Sequence, residues 1–115
     1  MAEHNELGKA GEDAALKYLM AKNFIIMERN WRYKQKEVDI IAMDGPILVF
    51  VEVKTRSHAM SPSDLISNSK VRYLEEAAEA YINRSNYMGD MRFDIVTLTR
   101  TAAGFHIEHI PDAFR

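Results

Sequence analysis

The pattern of apolar residues predicts an α/β domain of order α-β-β-β-α-β-β, a central mixed sheet flanked by helices. Three observations predict it. Apolar residues recur at close to helical spacing in two separate segments, about 6–22 and 69–84. Five runs rich in β-branched and aromatic residues fill the rest, at 24–31, 37–43, 47–54, 91–99 and 104–110. Turn residues separate them: Asn23, Asp44-Gly45-Pro46 and Ala102-Ala103-Gly104. A mixed sheet covered by helices is the simplest way to bury those faces.

In the first helix Leu7, Gly11, Ala14, Tyr18 and Leu19 supply the period, with Asn5 as its expected N-cap. Gly8 and Gly11 each cost a helix about 1 kcal/mol relative to alanine, so a close backbone approach is expected there. In the second helix Val71, Leu74, Ala77, Ala78, Tyr81 and Ile82 form the apolar face. The strands 37–43 and 47–54 are expected to pair as a hairpin. With 115 residues and 47% hydrophobic content, the chain suffices for one core and one domain over 1–115. No run approaches the roughly 20 apolar residues of a membrane span. The polar, acidic start and the lack of cysteine fit a cytoplasmic protein and exclude disulfides and thiolate metal sites.

The net charge of −2 does not announce a nucleic-acid binder, but it is unevenly placed. Residues 29–72 hold eight Lys/Arg against five acids, +3, which leaves −5 for the remainder. A local basic surface can hold phosphates on an acidic protein. Arg29, Arg32, Lys34, Lys36, Arg56, Lys70 and Arg72 are the candidate phosphate contacts. Trp31 and Tyr33 among them offer either an aromatic–basic surface for nucleic acid or an ordinary core tryptophan with solvated neighbours.

Parity along 47–54 puts Leu48, Phe50, Glu52 and Lys54 on one face and Ile47, Val49, Val51 and Val53 on the other. Both faces are apolar until the end, so this strand should be central. Its end then carries a carboxylate and an ammonium about 6.6 Å apart along the strand. If the hairpin loop runs from Asp44 to Ile47, Asp39 falls opposite Glu52; a two-residue loop at Asp44-Gly45 would place Glu37 there instead. Two carboxylates that close repel unless a cation or proton lies between them, and oxygen ligands suit Mg²⁺ or Mn²⁺. Glu12 shares a helical stripe with Gly8, Ala15 and Leu19 and is expected to point inward or along a groove. The plainer readings are a structural salt bridge for Asp39, Glu52 and Lys54, and a helix-start acid for Glu12. His106 and His109, three apart in a strand, should point to opposite faces and share no metal.

Asp39, twelve intervening residues and Glu52-Val53-Lys54 resemble the motif of the PD-(D/E)XK nuclease superfamily. The chain resembles most closely its YraN-like family of small bacterial proteins, which are similar to archaeal Holliday-junction resolvases. The resemblance is carried by residues 8–12, Arg29-Asn30-Trp31-Arg32, Glu37-Val38-Asp39-Ile40-Ile41, residues 50–56, Lys70 with Ala77-Ala78, residues 92–96 and Ala113-Phe114. It departs at Lys36, where the family usually has glycine, and at Met60-Ser61, where it usually has Phe-Gly.

The resemblance implies a restriction-endonuclease-like fold and a Mg²⁺- or Mn²⁺-dependent endonuclease acting on DNA, branched or junction DNA included, with RNA as the lesser expectation. It implies Asp39 and Glu52 as metal ligands, helped by the Val53 carbonyl, with Glu12 accessory. Lys54 would orient or deprotonate the attacking water, Lys70 would be an auxiliary polar residue, and a homodimer follows by analogy. A binding module of the same fold with little or no activity, and a structural or protein-interaction domain, are the alternatives.

Overall fold

The computed structural model describes residues 2–58 and 66–114, with side chains from residue 6 onward. The element order is α1 (Ala2–Ala21), β1 (Ile25–Tyr33), β2 (Lys36–Asp44), β3 (Ile47–Arg56), α2 (Asn68–Ser85), β4 (Met91–Thr101) and β5 (Gly104–Phe114). It is the expected order. The strands form one mixed sheet in sequence order, β1-β2-β3-β4-β5, in which only β3 and β4 run parallel. That parallel pair requires a crossover, which α2 supplies. Among the described residues no helix is long and apolar enough to cross a membrane.

The alternation along β3 sorts the core into two layers. Val49 and Val51 pack with Ala15 and Leu19 of α1, together with Ile40, Ala42, Val96 and Leu98. Leu48 and Phe50 pack with Leu74, Ala77, Ala78 and Tyr81 of α2, together with Val38, Ile41 and Phe93. β3 is therefore central and covered on both faces, as its parity requires. α2 opens on Ser67, whose hydroxyl accepts from the Lys70 N–H at 3.1 Å, and closes on left-handed Asn86.

Several boundaries move. Asn5 does not cap α1 but lies within it, since Ala2 and Glu3 are good helix formers. β5 continues four residues past Ile110, through a proline that sits on an edge strand where its missing N–H costs no ladder bond. Met60 and Ser61 lie outside the described residues.

The two helix glycines part company. A Cβ on Gly8 would meet nothing, whereas one on Gly11 would collide with the Thr55 side chain of β3. Gly11 thus sets how closely α1 approaches the end of β3. Gly11→Ala is expected to destabilise the fold by about 1–3 kcal/mol, read from urea unfolding. Thr55→Ala in the same chain should return part of that loss.

Candidate functional site

β2 and β3 pair in the register expected for the longer loop, Met43 with Leu48 and Ile40 with Val51, although Asp44 and Ile47 also pair and leave Gly45-Pro46 as the tip. Gly45, at φ +57°, takes the left-handed conformation the tip requires. Beyond Ile40 the regular ladder stops. Val38 faces α2 while Ile40 faces α1, so the in-and-out alternation breaks at Asp39. Opposite it, between the pairs Arg29–Ile40 and Trp31–Val38, Asn30 is left-handed at φ +53°. The break turns the Asp39 carboxylate toward β3, where Oδ2 accepts the Val53 backbone N–H at 2.8 Å. A side chain here replaces a backbone acceptor of the sheet.

Glu52 sits next to it, 4% exposed and one of two buried charged residues among those described. Its Oε2 lies 3.3 Å from Lys54 Nζ and 3.6 Å from Lys70 Nζ. The sheet end therefore splits its charges between two sides. Lys54 and Lys70 meet Glu52 on the α2 side. Asp39, with Leu7, Gly8, Glu12, Val53, Thr55 and Arg56, lines a cleft of about 210 Å³ on the α1 side. Burial, then the negative charge of Glu52, pushes the Asp39 carboxyl up to about 8 against the opposing pull of the Val53 N–H. A proton or a cation relieves that repulsion.

Glu12 reaches the cleft as expected, but its Oε1 accepts from Arg29 Nε at 3.0 Å. Arg29 also pairs with Asp13. Among the described residues no three acids or histidines gather closely enough to enclose a metal. The donor set that remains is two neighbouring carboxylates, Asp39 lining the cleft and Glu52 beside it on the α2 side. It fits Mg²⁺ or Mn²⁺, which are commonly bound through one or two carboxylates, with water and substrate phosphate completing the shell. It does not fit a closed structural zinc site.

The expected phosphate contacts disperse. Arg56 is exposed at the cleft and donates to the Thr55 carbonyl, and Lys70 faces Glu52. Arg29 is held by α1, while Arg32, 75% exposed, pairs with Glu37. Lys36 pairs with Glu76, and Lys34 lies over the Tyr33 ring. Arg72 is exposed, two residues and half a helical turn from Lys70.

Three features were not anticipated. Tyr73 accepts the Glu37 N–H and carries Lys70 on its ring at 4.0 Å. Arg84 covers the rings of Trp31 and Tyr33. Asp94, wholly buried, accepts from Arg92 Nε at 2.9 Å and the Asp112 N–H at 3.0 Å, and bonds His109 Nε2 at 2.7 Å. The one available signal for Asp94 was a lone acid inside the apolar run Phe93-Asp94-Ile95-Val96. His106 and His109 do fall on opposite faces: His106 pairs with exposed Glu108, while His109 turns inward to Asp94.

A model of the uncharacterised protein family UPF0102 matches residues 11–98. The chain is 50% identical over 120 residues to the UPF0102 protein of Flavobacterium johnsoniae, covering 99% of this chain and 98% of that one. It is 45% identical to the UPF0102 protein of Christiangramia forsetii over 116 residues, covering 99% and 98% respectively. Its identity to a UPF0102 protein of Bacteroides fragilis is 46% over 116 residues, covering 99% of this chain and 96% of the other. Similarity of this extent spans the whole of the cleft and both layers of the core, and the chain belongs to the uncharacterised protein family UPF0102.

Proposed function

We propose that the protein is a metal-dependent endonuclease of the YraN-like, PD-(D/E)XK kind, hydrolysing phosphodiester bonds in DNA, including branched or junction DNA. One observation carries the reading: Asp39 and Glu52 are pressed together at the end of the central strand, with Lys54 3.3 Å from Glu52. A purely structural ion pair needs one acid. The second acid, raised to about 8, must hold a proton or share a cation, and a carboxyl so placed can exchange the one for the other.

Asp39 and Glu52 would hold Mg²⁺ or Mn²⁺, with the Val53 carbonyl beside them, and the bound ion would polarise the scissile phosphate and acidify water. Lys54 brings a mobile positive charge to the same strand end, placed to orient the attacking water and to stabilise negative charge gathering on the phosphoryl oxygens. Arg56 at the cleft and Lys70 across Glu52 supply cations for the flanking phosphates. Arg29 holds Glu12 at the cleft rim, which reserves it for a peripheral role.

That same engagement of Glu12 favours a second reading, a binding module of this fold with little activity. Duplex, single-stranded, flap and four-way-junction DNA incubated with Mg²⁺ or Mn²⁺ separate the two. Metal-dependent cutting is expected, abolished by chelation and reduced about 100-fold by Lys54→Ala. Salt-sensitive binding without cutting on any of these substrates would leave only the binding module. Neither cutting nor binding would reject both.

A further inference from the structure

Arg84 closes one end of a helical stripe whose other end is Lys70. Positions 70, 73, 77, 81 and 84 follow steps of three and four and so share one side of α2. At the Lys70 end the ammonium lies 4.0 Å from the Tyr73 ring centre, and Lys36 approaches the same ring at 5.9 Å. At the far end the Arg84 guanidinium lies 5.1 Å from the Tyr33 ring centre and 5.9 Å from that of Trp31. Those two rings are parallel within 4° at 6.4 Å, and Trp31 is fixed by an edge contact with buried Tyr81 at 5.1 Å. Lys34 lies over Tyr33 at 5.3 Å. Between the ends runs a groove of about 300 Å³ lined by Tyr33, Lys34, Lys36, Glu76, Glu79 and Asn83 among others.

Arg84 is exposed, and among the described residues no carboxylate pairs with it. A guanidinium lying on aromatic rings is held in orientation while its N–H edge stays open, the arrangement suited to a phosphate fork. The rings themselves carry cations, which leaves them poorly placed to stack on bases. Glu76 and Glu79 offset part of the positive charge, Glu76 by pairing with Lys36 at 3.1 Å. The contribution of this end is accordingly modest and electrostatic.

Resting on the nucleic-acid reading above, we propose that Arg84, seated on Trp31 and Tyr33, is a second phosphate-binding point for the backbone of nucleic acid extending along α2 from the end of the sheet where Lys70 meets Glu52. Fourteen residues of helix from Lys70 to Arg84 span about 21 Å, or about six base pairs at 3.4 Å each. The ligand recognised is the phosphodiester backbone, irrespective of base sequence.

Trp31 is the only tryptophan in the chain, so its fluorescence reports directly on this point. The full-length protein is titrated in chelator with junction DNA whose arms are either about four or about twelve base pairs long, bracketing the span. With long arms, a Trp31 fluorescence change is expected in wild type. Arg84→Ala should weaken long-arm binding about three- to tenfold and lower the slope of log affinity against log salt by about 0.9, the value for one phosphate. Short arms should show neither effect, and Arg84→Lys should recover part of the affinity. Unchanged melting of Arg84→Ala would exclude a folding defect. If wild type binds while Arg84→Ala leaves affinity, salt slope and Trp31 response unaltered, the proposal is overturned and the nuclease reading stands. If wild type neither binds nucleic acid here nor cuts it with Mg²⁺ or Mn²⁺, both fall.

Discussion

Asp94→Ala is expected to lower stability by about 3 kcal/mol, the lower end of the cost of breaking a buried ion pair. The Asp94 side chain is wholly inaccessible; it is held by Arg92 on its own strand and joined to β5 by His109 and the Asp112 N–H. Removing it strands Arg92, whose side chain is 16% exposed, although Arg92 keeps Asp44 at 2.8 Å. That remaining partner is the reason for choosing the lower figure. His109 bonds Asp94 through Nε2 and Tyr18 through Nδ1 at 3.3 Å. With Asp94 as the acceptor, the neutral ring donates at Nε2 and accepts the Tyr18 hydroxyl at Nδ1.

Burial pushes the Asp94 carboxyl up, but the hydrogen bonds from His109, Arg92 and Asp112 outweigh it and hold the group below its ordinary range. A depressed carboxyl stabilises the fold above its unfolded pKa and loses that contribution as pH falls through the folded value. Urea unfolding of wild type and Asp94→Ala should therefore differ most at neutral pH and converge in acid. Equal stability at neutral pH would show the network to be inert.

Under the proposed nuclease function, Asp39→Asn is expected to reduce cleavage about 1,000-fold, the loss typical of removing a principal electrostatic group from a site. It should also make the metal-free protein more stable at alkaline pH. The two effects share one cause. Burial and the charge of Glu52 raise Asp39 to about 8, so the folded state holds a proton that the unfolded chain releases near 4. Stability tied to that group falls as pH rises from about 4 through about 8. Asparagine keeps an oxygen for the Val53 N–H, which the carboxylate now accepts at 2.8 Å, and removes the charge. Thermal melts between about pH 5 and about pH 9, with and without Mn²⁺, check both parts. Wild type should gain stability from the ion, increasingly so as pH rises, whereas Asp39→Asn should gain little. A variant that responds to Mn²⁺ as wild type does would remove Asp39 from the proposed metal site.

The sheet was legible because β-strand parity is local. Leu48, Phe50 and Glu52 had to part from Val49 and Val51 whatever the neighbours were, and a strand apolar on both faces had to be central. The hairpin register was legible only as two alternatives, since loop geometry at Gly45-Pro46 settles it. The strand ends were read short because edge contacts, not propensity, decide where pairing stops.

The site was legible in its residue types and less so in its geometry. Asp39 was expected to face Glu52 across a regular ladder; instead the break opposite left-handed Asn30 turns it onto the Val53 N–H of β3. A period of two cannot announce its own interruption. Glu12 was rightly placed at the cleft, but its tie to Arg29 joins residues 17 apart on different elements. Gly11 shows the same division: its helix cost was visible in the sequence, its reason lay in Thr55.

By itself, then, the sequence determined the order of elements, the central strand and the presence of Asp39, Glu52 and Lys54 near one strand end, all consequences of short-range periodicity. Tertiary structure alone decided on which side of the sheet each charge emerges, that Arg29 occupies Glu12, and that Asp94 and Arg84 matter. Those outcomes depend on burial and on partners distant in the chain, which set the energy of a charge far more than its immediate neighbours do.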